Sequence, residues 1–294
     1  MPNCVENQTT DSMPATDRLA LIESANCPIL LLPSRLPKGL HGTPHHHDRG
    51  QFIYPLKGRF RVRAAGQIWA GSPQQAMWIP PDVIHCVEAL DELSVHNVYV
   101  RTREIDGFPE QCKVLNVSPL LRELLAYGET LPPSYQDVEE HMRIMLVITD
   151  QIRLADDLTS IHLPVSDDRR LKPIISRMME QPDDNRRLDE WAEFTNSSTR
   201  TLARLFVQET GLTFRQWRQR LRIMEALTRL GDGQSVLAVS MDLGYASQSA
   251  FTTMFRKIVG STPSDFCAKT KQAAPLPAAG NGPQGKQKRL HGFD

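Results

Sequence analysis

The stretches STRTLARLFVQETGLTF (198–214) and SQSAFTTMFRKIVGSTP (247–263) are two versions of one pattern, offset by 49 positions. Each begins with Ser, places apolar residues at the spacing of one helical face, and reaches a Gly followed two residues later by Thr. A serine hydroxyl caps free N–H groups at a helix start, and glycine accepts the backbone conformation in which many helices end. The pattern therefore predicts two similar helices, each with its own start and stop signal.

A shorter apolar segment and a turn precede each of these helices. LDEWAEF (188–194) comes before the first copy and SVLAVSMDL (235–243) before the second, and turns follow at 195–197 and 244–246. Two helices joined by a tight turn form a helix-turn-helix, whose second helix enters the major groove of DNA. One such hairpin alone is equally well explained by an all-α core. Its repetition with aligned caps indicates a DNA-binding domain.

Residues from about 170 to 271 resemble the DNA-binding domain of the AraC/XylS family of bacterial transcription regulators. The most specific stretch is LGYASQSAFTTMFRKIVGSTPSDF (243–266), which matches the family signature at Gly244, Tyr245, Ser247, Phe251, Phe255, Gly260 and Pro263. The resemblance implies seven helices, with Leu221 to Leu230 as the long helix that links two helix-turn-helix units. Ser240 stands where the family usually has Ala, and we expect its hydroxyl to bond back to the preceding turn.

The outward positions of the two predicted recognition helices are the candidate DNA contacts. They are Arg200, Ala203 and Arg204 in the first helix, and Gln248, Ser249, Thr252, Thr253 and Arg256 in the second. Arginine can hold guanine with two hydrogen bonds, whereas glutamine suits adenine and a threonine methyl suits thymine. We therefore expect the first helix to supply more of the sequence selectivity.

The charge of the chain is distributed unevenly between its two halves. Residues 1–167 contain 14 Lys and Arg against 21 Asp and Glu, whereas residues 168–271 contain 17 against 12. A basic domain suits contact with DNA phosphates, which supply most sequence-independent affinity. The predicted phosphate contacts are the clustered Arg215, Arg218, Arg220 and Arg222.

Several features predict a cytoplasmic protein with no membrane segment. The chain has no run of 18 apolar residues and no secretion signal. Its five cysteines lack a C-x-x-C pair, which favours free thiols in a reducing compartment. Residues 1–17 are polar and residues 272–294 are rich in Pro, Gly and Ala, so we expect both ends to be disordered.

Short apolar runs broken by Pro and Gly extend from Ile29 to Val100 and predict antiparallel strands. The expected fold is therefore α+β. It comprises a cupin-like antiparallel β-barrel as sensor at 18–112, a helical linker and dimerisation segment at 113–165, and an all-α DNA-binding domain at 168–271. The two helix-turn-helix motifs of that domain are predicted at about 188–209 and 236–259.

Two apolar stripes mark the helical linker. Leu120, Leu121, Leu124 and Leu125 form the first, and Val138, Met142, Met145, Ile148 and Ile152 form the second. Such stripes are in themselves a sign of core packing. In the family that the chain resembles, the corresponding helices often pair two subunits, so we expect a homodimer.

The N-terminal domain has a motif of its own, with His45, His47 and Gln51 between two glycines. It resembles the first cupin motif, in which two His and a Glu hold a metal, and IPPDVIHCV (79–87) resembles the second motif, which supplies a third His at His85. His45 and His47 are two residues apart and would share one face of a strand. The predicted ligands suit Zn, Ni, Fe, Mn or Co. Many cupin-type sensor domains hold no metal, and that alternative stays open.

Two functions from different classes are compatible with these features. The first is a non-enzymatic transcription regulator that binds double-stranded operator DNA and senses a small molecule, a metal ion or both, with RNA polymerase as a candidate partner. The second is a cupin metalloenzyme, an isomerase or dioxygenase, fused to a DNA-binding module. Gln51 in place of a carboxylate favours the sensor. The aromatic residues predicted to line an effector pocket are Phe52, Tyr54, Trp69 and Trp78.

Overall fold

The computed structural model describes residues 15–71, 75–132, 135–157 and 162–272. The disorder predicted for the two ends therefore falls largely outside the described residues. Helix α1 (Ala15–Ser24) nevertheless begins inside the segment predicted to be disordered, so that prediction is wrong for its last three residues. The carbonyl oxygen of Ala25 accepts hydrogen bonds from Arg49 (2.6 Å) and Arg101 (2.7 Å) directly after this helix. These long-range contacts leave no signal in the local sequence.

The N-terminal domain is built from two antiparallel sheets. Its strands are β1 (Ile29–Leu36), β2 (Gly50–Lys57), β3 (Phe60–Ala64), β4 (Gln67–Gly71), β5 (Gln75–Ile79), β6 (His85–Ala89), β7 (Leu93–Val100), β8 (Lys113–Asn116) and β9 (Leu163–Pro164). One sheet has the order β1-β7-β2-β5-β8 and the other β6-β3-β4-β9, and all described pairs are antiparallel. The expected α+β class is confirmed.

The two sheets face each other across an apolar interior. Ile53 and Met77 from the larger sheet pack with Phe60 and Val62 from the smaller one. In the described part of the chain no continuous ladder joins the sheets, so the barrel is not closed by strand pairing. Two isolated bridges link the segment between β1 and β2 to β6. One joins His41 to Glu88, and the other joins His45 to His85.

The segment predicted as a helical linker also contributes to the sheets. Strand β8 pairs with β5 and strand β9 pairs with β4, so the sensor domain extends beyond residue 112. The prediction of a purely helical linker is wrong at these strands because four and two residues are too few for an alternating pattern to be recognised. Helices α2 (Pro119–Gly128) and α3 (Glu139–Arg153) occupy the rest of the described linker, with a 3-10 turn at Tyr135–Asp137 before α3.

Helices α2 and α3 cover the outer face of the five-stranded sheet. Leu121 and Leu125 of α2, and Met145 and Ile148 of α3, are buried there against the sheet. The inner half of each predicted stripe is therefore core of the same domain. In α2, Ser118 caps the helix by accepting a hydrogen bond from the Leu121 N–H at 3.1 Å.

The C-terminal domain contains seven helices in its described residues, as the resemblance implied. They are α4 (Leu171–Glu180), α5 (Leu188–Phe194), α6 (Thr199–Thr210), α7 (Phe214–Gly231), α8 (Val236–Asp242), α9 (Gln248–Val259) and α10 (Pro263–Gln272). The linking helix α7 begins at Phe214 rather than at Leu221, because Thr213 and Gln216 form a capping box there. Among the helices described, none has both the length and the apolar character to cross a membrane.

The outer face of the four-stranded sheet packs against the DNA-binding domain. Ile68 of β4 and Leu163 of β9 belong to the same buried cluster as Trp217 and Leu221 of α7. The indole N–H of Trp217 donates to the carbonyl oxygen of Pro164 at 2.7 Å. The sensor domain therefore contacts the helix that links the two helix-turn-helix units.

Candidate nucleic-acid interface and metal centre

The caps predicted for the two recognition helices are present in the structure. The hydroxyl of Ser198 accepts from the Thr201 N–H at 3.1 Å, and the hydroxyl of Ser247 accepts from the Ala250 N–H at 3.2 Å. Gly211 and Gly260 end the helices with φ of 69° and 85°, the left-handed conformation in which a Cβ is unfavourable. Helices α6 and α9 are thus defined by local sequence at both ends.

Burial of the apolar face fixes which side of each recognition helix is outward. Leu202 and Phe206 of α6, and Phe251 and Phe255 of α9, are fully buried. Of the predicted DNA contacts, Arg200, Ala203, Arg204, Gln248, Ser249, Thr253 and Arg256 are exposed and Thr252 is half-buried. Ser240, on α8, is buried and donates its hydroxyl to the Leu237 carbonyl oxygen at 2.8 Å, as predicted. The two outward faces are therefore available to DNA.

Arg222 is buried and does not face DNA. Its guanidinium donates to the carbonyl oxygens of Pro182 (2.8 Å) and Asp184 (3.2 Å) and to the side chain of Asn185 (3.0 Å). A Cβ on Gly244, in the turn of the second motif, would lie 3.0 Å from the Asn185 side chain. The prediction that Arg222 contacts phosphate is wrong, because it joins the loop after α4 to the second helix-turn-helix.

Arg218 is only half-buried but is already engaged within the protein. It donates to the carbonyl oxygen of Arg186 at 2.8 Å, and its guanidinium carbon lies 5.0 Å from the centre of the Phe214 ring. Arg215 is exposed and has no ion pair within the described residues. Arg220 is half-buried, so Arg215 is the one exposed member of this cluster and the residue best placed to meet a phosphate.

Three histidines meet between the segment before β2 and the start of β6. Backbone hydrogen bonds in both directions join His45 to His85, at 3.0 and 2.8 Å. One ring nitrogen from each of His45, His47 and His85 lies within 4.8 Å of the others. Residues that are widely separated in sequence therefore present three imidazoles to one point.

Backbone carbonyls fix the proton position on each of these rings. The Nδ1 atom of His45 donates to the Thr43 oxygen (2.9 Å), that of His47 to the Arg49 oxygen (2.8 Å), and that of His85 to the Val83 oxygen (2.8 Å). Because a carbonyl only accepts, each Nδ1 carries a proton, and in a neutral ring Nε2 then keeps its lone pair. Burial lowers the pKa of His47 and lowers the pKa of His85 to about 3, so both rings are neutral near pH 7.

A chain of amides directs the Gln51 oxygen toward the same point. Asn97 donates through Nδ2 to the Ser34 hydroxyl at 3.2 Å, which leaves its oxygen to accept from Gln51 Nε2 at 2.9 Å. Gln51 Oε1 therefore lies 3.2 Å from His47 Nε2 and 2.9 Å from His85 Nε2. These three atoms are all acceptors and would repel one another without a cation between them. The residues thus fit a divalent metal ion.

Two family models cover nearly the whole described chain. An AraC-like ligand binding domain matches residues 34–190, and a helix-turn-helix domain matches residues 191–269. The chain belongs to the AraC family of transcription regulators. It is accordingly a DNA-binding regulator with a ligand-binding N-terminal domain.

Individual known proteins align with this chain over most of their length. The HTH-type transcriptional regulator NimR of Escherichia coli K12 is 34% identical over 234 residues, which are 80% of this chain and 85% of NimR. The transcriptional activator RhaS of Escherichia coli SE11 is 26% identical over 266 residues, covering 83% and 93%. A crystal structure of ToxT from Vibrio cholerae, bound to (E)-4-(8-methylnaphthalen-1-yl)but-3-enoic acid, aligns with a TM-score of 0.36 at 10% identity, over 83% of this chain and 100% of ToxT.

The aromatic residues predicted to form the effector pocket of this AraC-family regulator do not share one surface. Phe52, Tyr54 and Trp78 are buried against α2 and α3, whereas Gln51 and Ile53 point to the opposite face of β2. The pocket prediction is wrong for these three residues because alternate residues of a strand face opposite sides. Trp69 lies between the sheets, with its ring 4.8 Å from that of His162.

One residue beside the candidate metal centre and two at the contact between the domains were not predicted from the sequence. Asn97 orients Gln51, and its one signal is a polar residue inside the apolar run VHNVYV (95–100). Arg61 of β3 and Glu225 of α7 form an ion pair between the domains, with side chains 11% and 6% exposed. Both are charged residues in otherwise amphipathic segments, so neither stands out from a solvated face.

Proposed function

We propose that this regulator binds its operator as a homodimer in the cytoplasm and senses a divalent transition metal. His45, His47 and His85, with Gln51, would hold the ion. The observation that carries the proposal is the convergence of Nε2 lone pairs and the Gln51 oxygen on one point, each held by a hydrogen bond on its far side. Zn, Ni, Fe, Mn and Co are the ions that such neutral N and O donors suit.

A bound metal would supply a Lewis-acidic centre. The protein's own contribution is orientation, since backbone carbonyls hold the imidazoles and Asn97 holds the amide. The donor set lacks the carboxylate of the 2-His-1-carboxylate sites that activate oxygen. This difference supports sensing rather than catalysis. Metal analysis of the purified protein, followed by operator binding with and without chelator, tests the proposal directly.

Exposed apolar side chains on α2 and α3 support dimerisation. They are Leu120, Tyr127, Val138, Leu146, Val147 and Leu154, with Leu154 76% exposed. Leu120 and Tyr127 lie on α2, Leu146 and Val147 lie on α3, and Val138 and Leu154 are the residues that flank α3. Such a group of apolar side chains is a common mark of a protein interface. The occupant that we propose is the same surface of a second copy, as a two-fold dimer requires.

Replacement of Val147 by Glu should dissociate the dimer. A charge in the middle of an apolar interface is expected to cost about 2 kcal/mol or more, roughly a 30-fold rise in the dimer dissociation constant. Sedimentation at micromolar concentration measures this change. Leu237→Glu, on the exposed side of α8, is the matched control and should leave the dimer intact. A wild-type protein that sediments as a monomer on and off DNA would remove the claim.

The first recognition helix should supply more base discrimination than the second. We expect Arg204→Ala to relax preference at one or two base pairs, at about 1–3 kcal/mol for a lost bidentate contact. Thr253→Ala should have a smaller effect, because its hydroxyl already donates to the Ser249 oxygen at 3.0 Å. Competition binding with a panel of operator variants measures both.

Arg215→Ala is the control for the same panel. As an exposed phosphate contact it should weaken all sequences alike and reduce the salt slope by about one. If Thr253→Ala abolished base preference while Arg204→Ala left it unchanged, the roles assigned to the two helices would be reversed.

A further inference from the structure

We propose that the effector of this regulator is a small carboxylate anion that binds to the metal held by the histidine cluster; the inference rests on the proposed metal site. Imidazoles bind a metal in their neutral form, through the unprotonated ring nitrogen, and the Gln51 amide is neutral as well. Among the described residues, no Asp, Glu or Cys belongs to this cluster. A divalent ion would therefore keep its full double positive charge.

The residues next to the cluster do not supply the missing negative charge. Asp48 follows His47 but its side chain is exposed to water. Arg49 is fully buried, but its guanidinium donates to the carbonyl oxygens of Ala25 and Cys27 rather than to the cluster. The backbone oxygen of Arg49 is the one that holds the His47 ring. Neither side chain therefore brings a negative charge into the cluster.

An uncompensated charge in a buried site is unfavourable, and an anion that reaches the metal removes part of this cost. His47 and His85 are each 2% exposed, whereas His45 is half-buried and His46 beside it is exposed. A ligand can therefore approach from the His45 side. A carboxylate has one negative charge and an oxygen donor that these metals accept. The concentration of hydroxide is set by pH, whereas the concentration of a carboxylate can vary with metabolism.

The experiment uses the full-length protein loaded with Co²⁺, whose visible absorption reports on its ligands. Acetate is the anionic probe, and acetamide is its neutral counterpart of nearly the same shape. We expect acetate to change the spectrum with one-to-one saturation and acetamide to leave it unchanged. The decisive variant is Gln51→Glu, which adds a carboxylate to the donor set at nearly constant volume. It should retain cobalt, with affinity for acetate lower by about 10-fold or more.

The outcomes separate this inference from the metal site on which it rests. A wild-type protein that binds no stoichiometric metal would remove the metal sensor and the anion site together. Bound cobalt with no response to acetate, or equal responses to acetate and acetamide, would overturn the anion site alone. Equal acetate affinity in wild type and the cobalt-loaded Gln51→Glu variant would do the same, because charge would then not govern binding.

Discussion

His85→Ala should reduce metal affinity by about 100-fold or more while the DNA-binding domain stays folded. Loss of a residue that only orients a ligand typically costs 10–100-fold in metal affinity, and loss of the ligand itself should cost at least as much. His85 is the first residue of β6, and its backbone is paired with His45. An alanine keeps that backbone pairing and removes only the imidazole. Elemental analysis of the purified protein and titration with a metal indicator measure the loss.

His46→Ala is the matched control for this experiment. His46 lies between two of the proposed ligands but is exposed and belongs to no candidate metal cluster in the described chain. It should bind metal as the wild type does. Circular dichroism and operator binding at high protein concentration report whether α4 to α10 remain folded in both variants. Metal retention in His85→Ala, or equal loss in His46→Ala, would contradict the proposed ligand set.

The DNA-binding domain could be predicted closely because its signals are local. Each recognition helix has a Ser cap, an apolar face and a terminal Gly within one short stretch. In the structure Ser198 and Ser247 cap the two helices, and Gly211 and Gly260 end them. Caps and helical periodicity depend on residues three or four positions apart. Such features are present in the sequence whatever the rest of the fold does.

Predictions failed where the outcome depends on distant partners. Arg222 is predicted on a basic surface, but it is buried because it donates hydrogen bonds to carbonyl oxygens of the loop after α4. Strands β8 and β9 exist because β5 and β4 have free edges beside them. Phe52 and Trp78 face helices rather than a cavity because α2 and α3 fold back on the sheet. None of these partners is near in sequence to the residue it affects.

The candidate metal site lies between these two cases. The resemblance to the two cupin motifs implied His45, His47, Gln51 and His85, and the structure brings these residues together. The proton positions and the direction of the Gln51 amide required the carbonyls and Asn97, which only the fold brings into contact. The residue types of the site were therefore predictable from the sequence, whereas the proton positions and the orientation of the amide were not.

A physical route connects the histidine cluster to the DNA-binding domain. His85 begins β6, which pairs with β3, and Arg61 of β3 forms the buried ion pair with Glu225 of α7. Glu88 of β6 lies 4.0 Å from the other terminal nitrogen of Arg61. Arg61 thus stands between a carboxylate of the sensor and one of the DNA-binding domain. We infer that displacement of β6 by ligand binding would change the strength of the contact between α7 and the sensor domain.

Glu225→Gln should weaken the contact between the two domains by about 3–5 kcal/mol, because it leaves the Arg61 charge buried without its main partner. The linker that follows β9 should then open more often, and trypsin should cleave faster at the exposed Arg169.

Glu88→Gln is the control, since that carboxylate is 30% exposed and 4.0 Å from Arg61, and its loss should cost under about 1 kcal/mol. The double variant Arg61→Met with Glu225→Met should recover most of the protection, because an apolar pair of similar volume can replace a buried ion pair. Cleavage at the wild-type rate in Glu225→Gln would show that this ion pair does not hold the domains together, and the route from β6 to α7 would then have to pass through the apolar contact of Ile68 and Leu163 with Trp217.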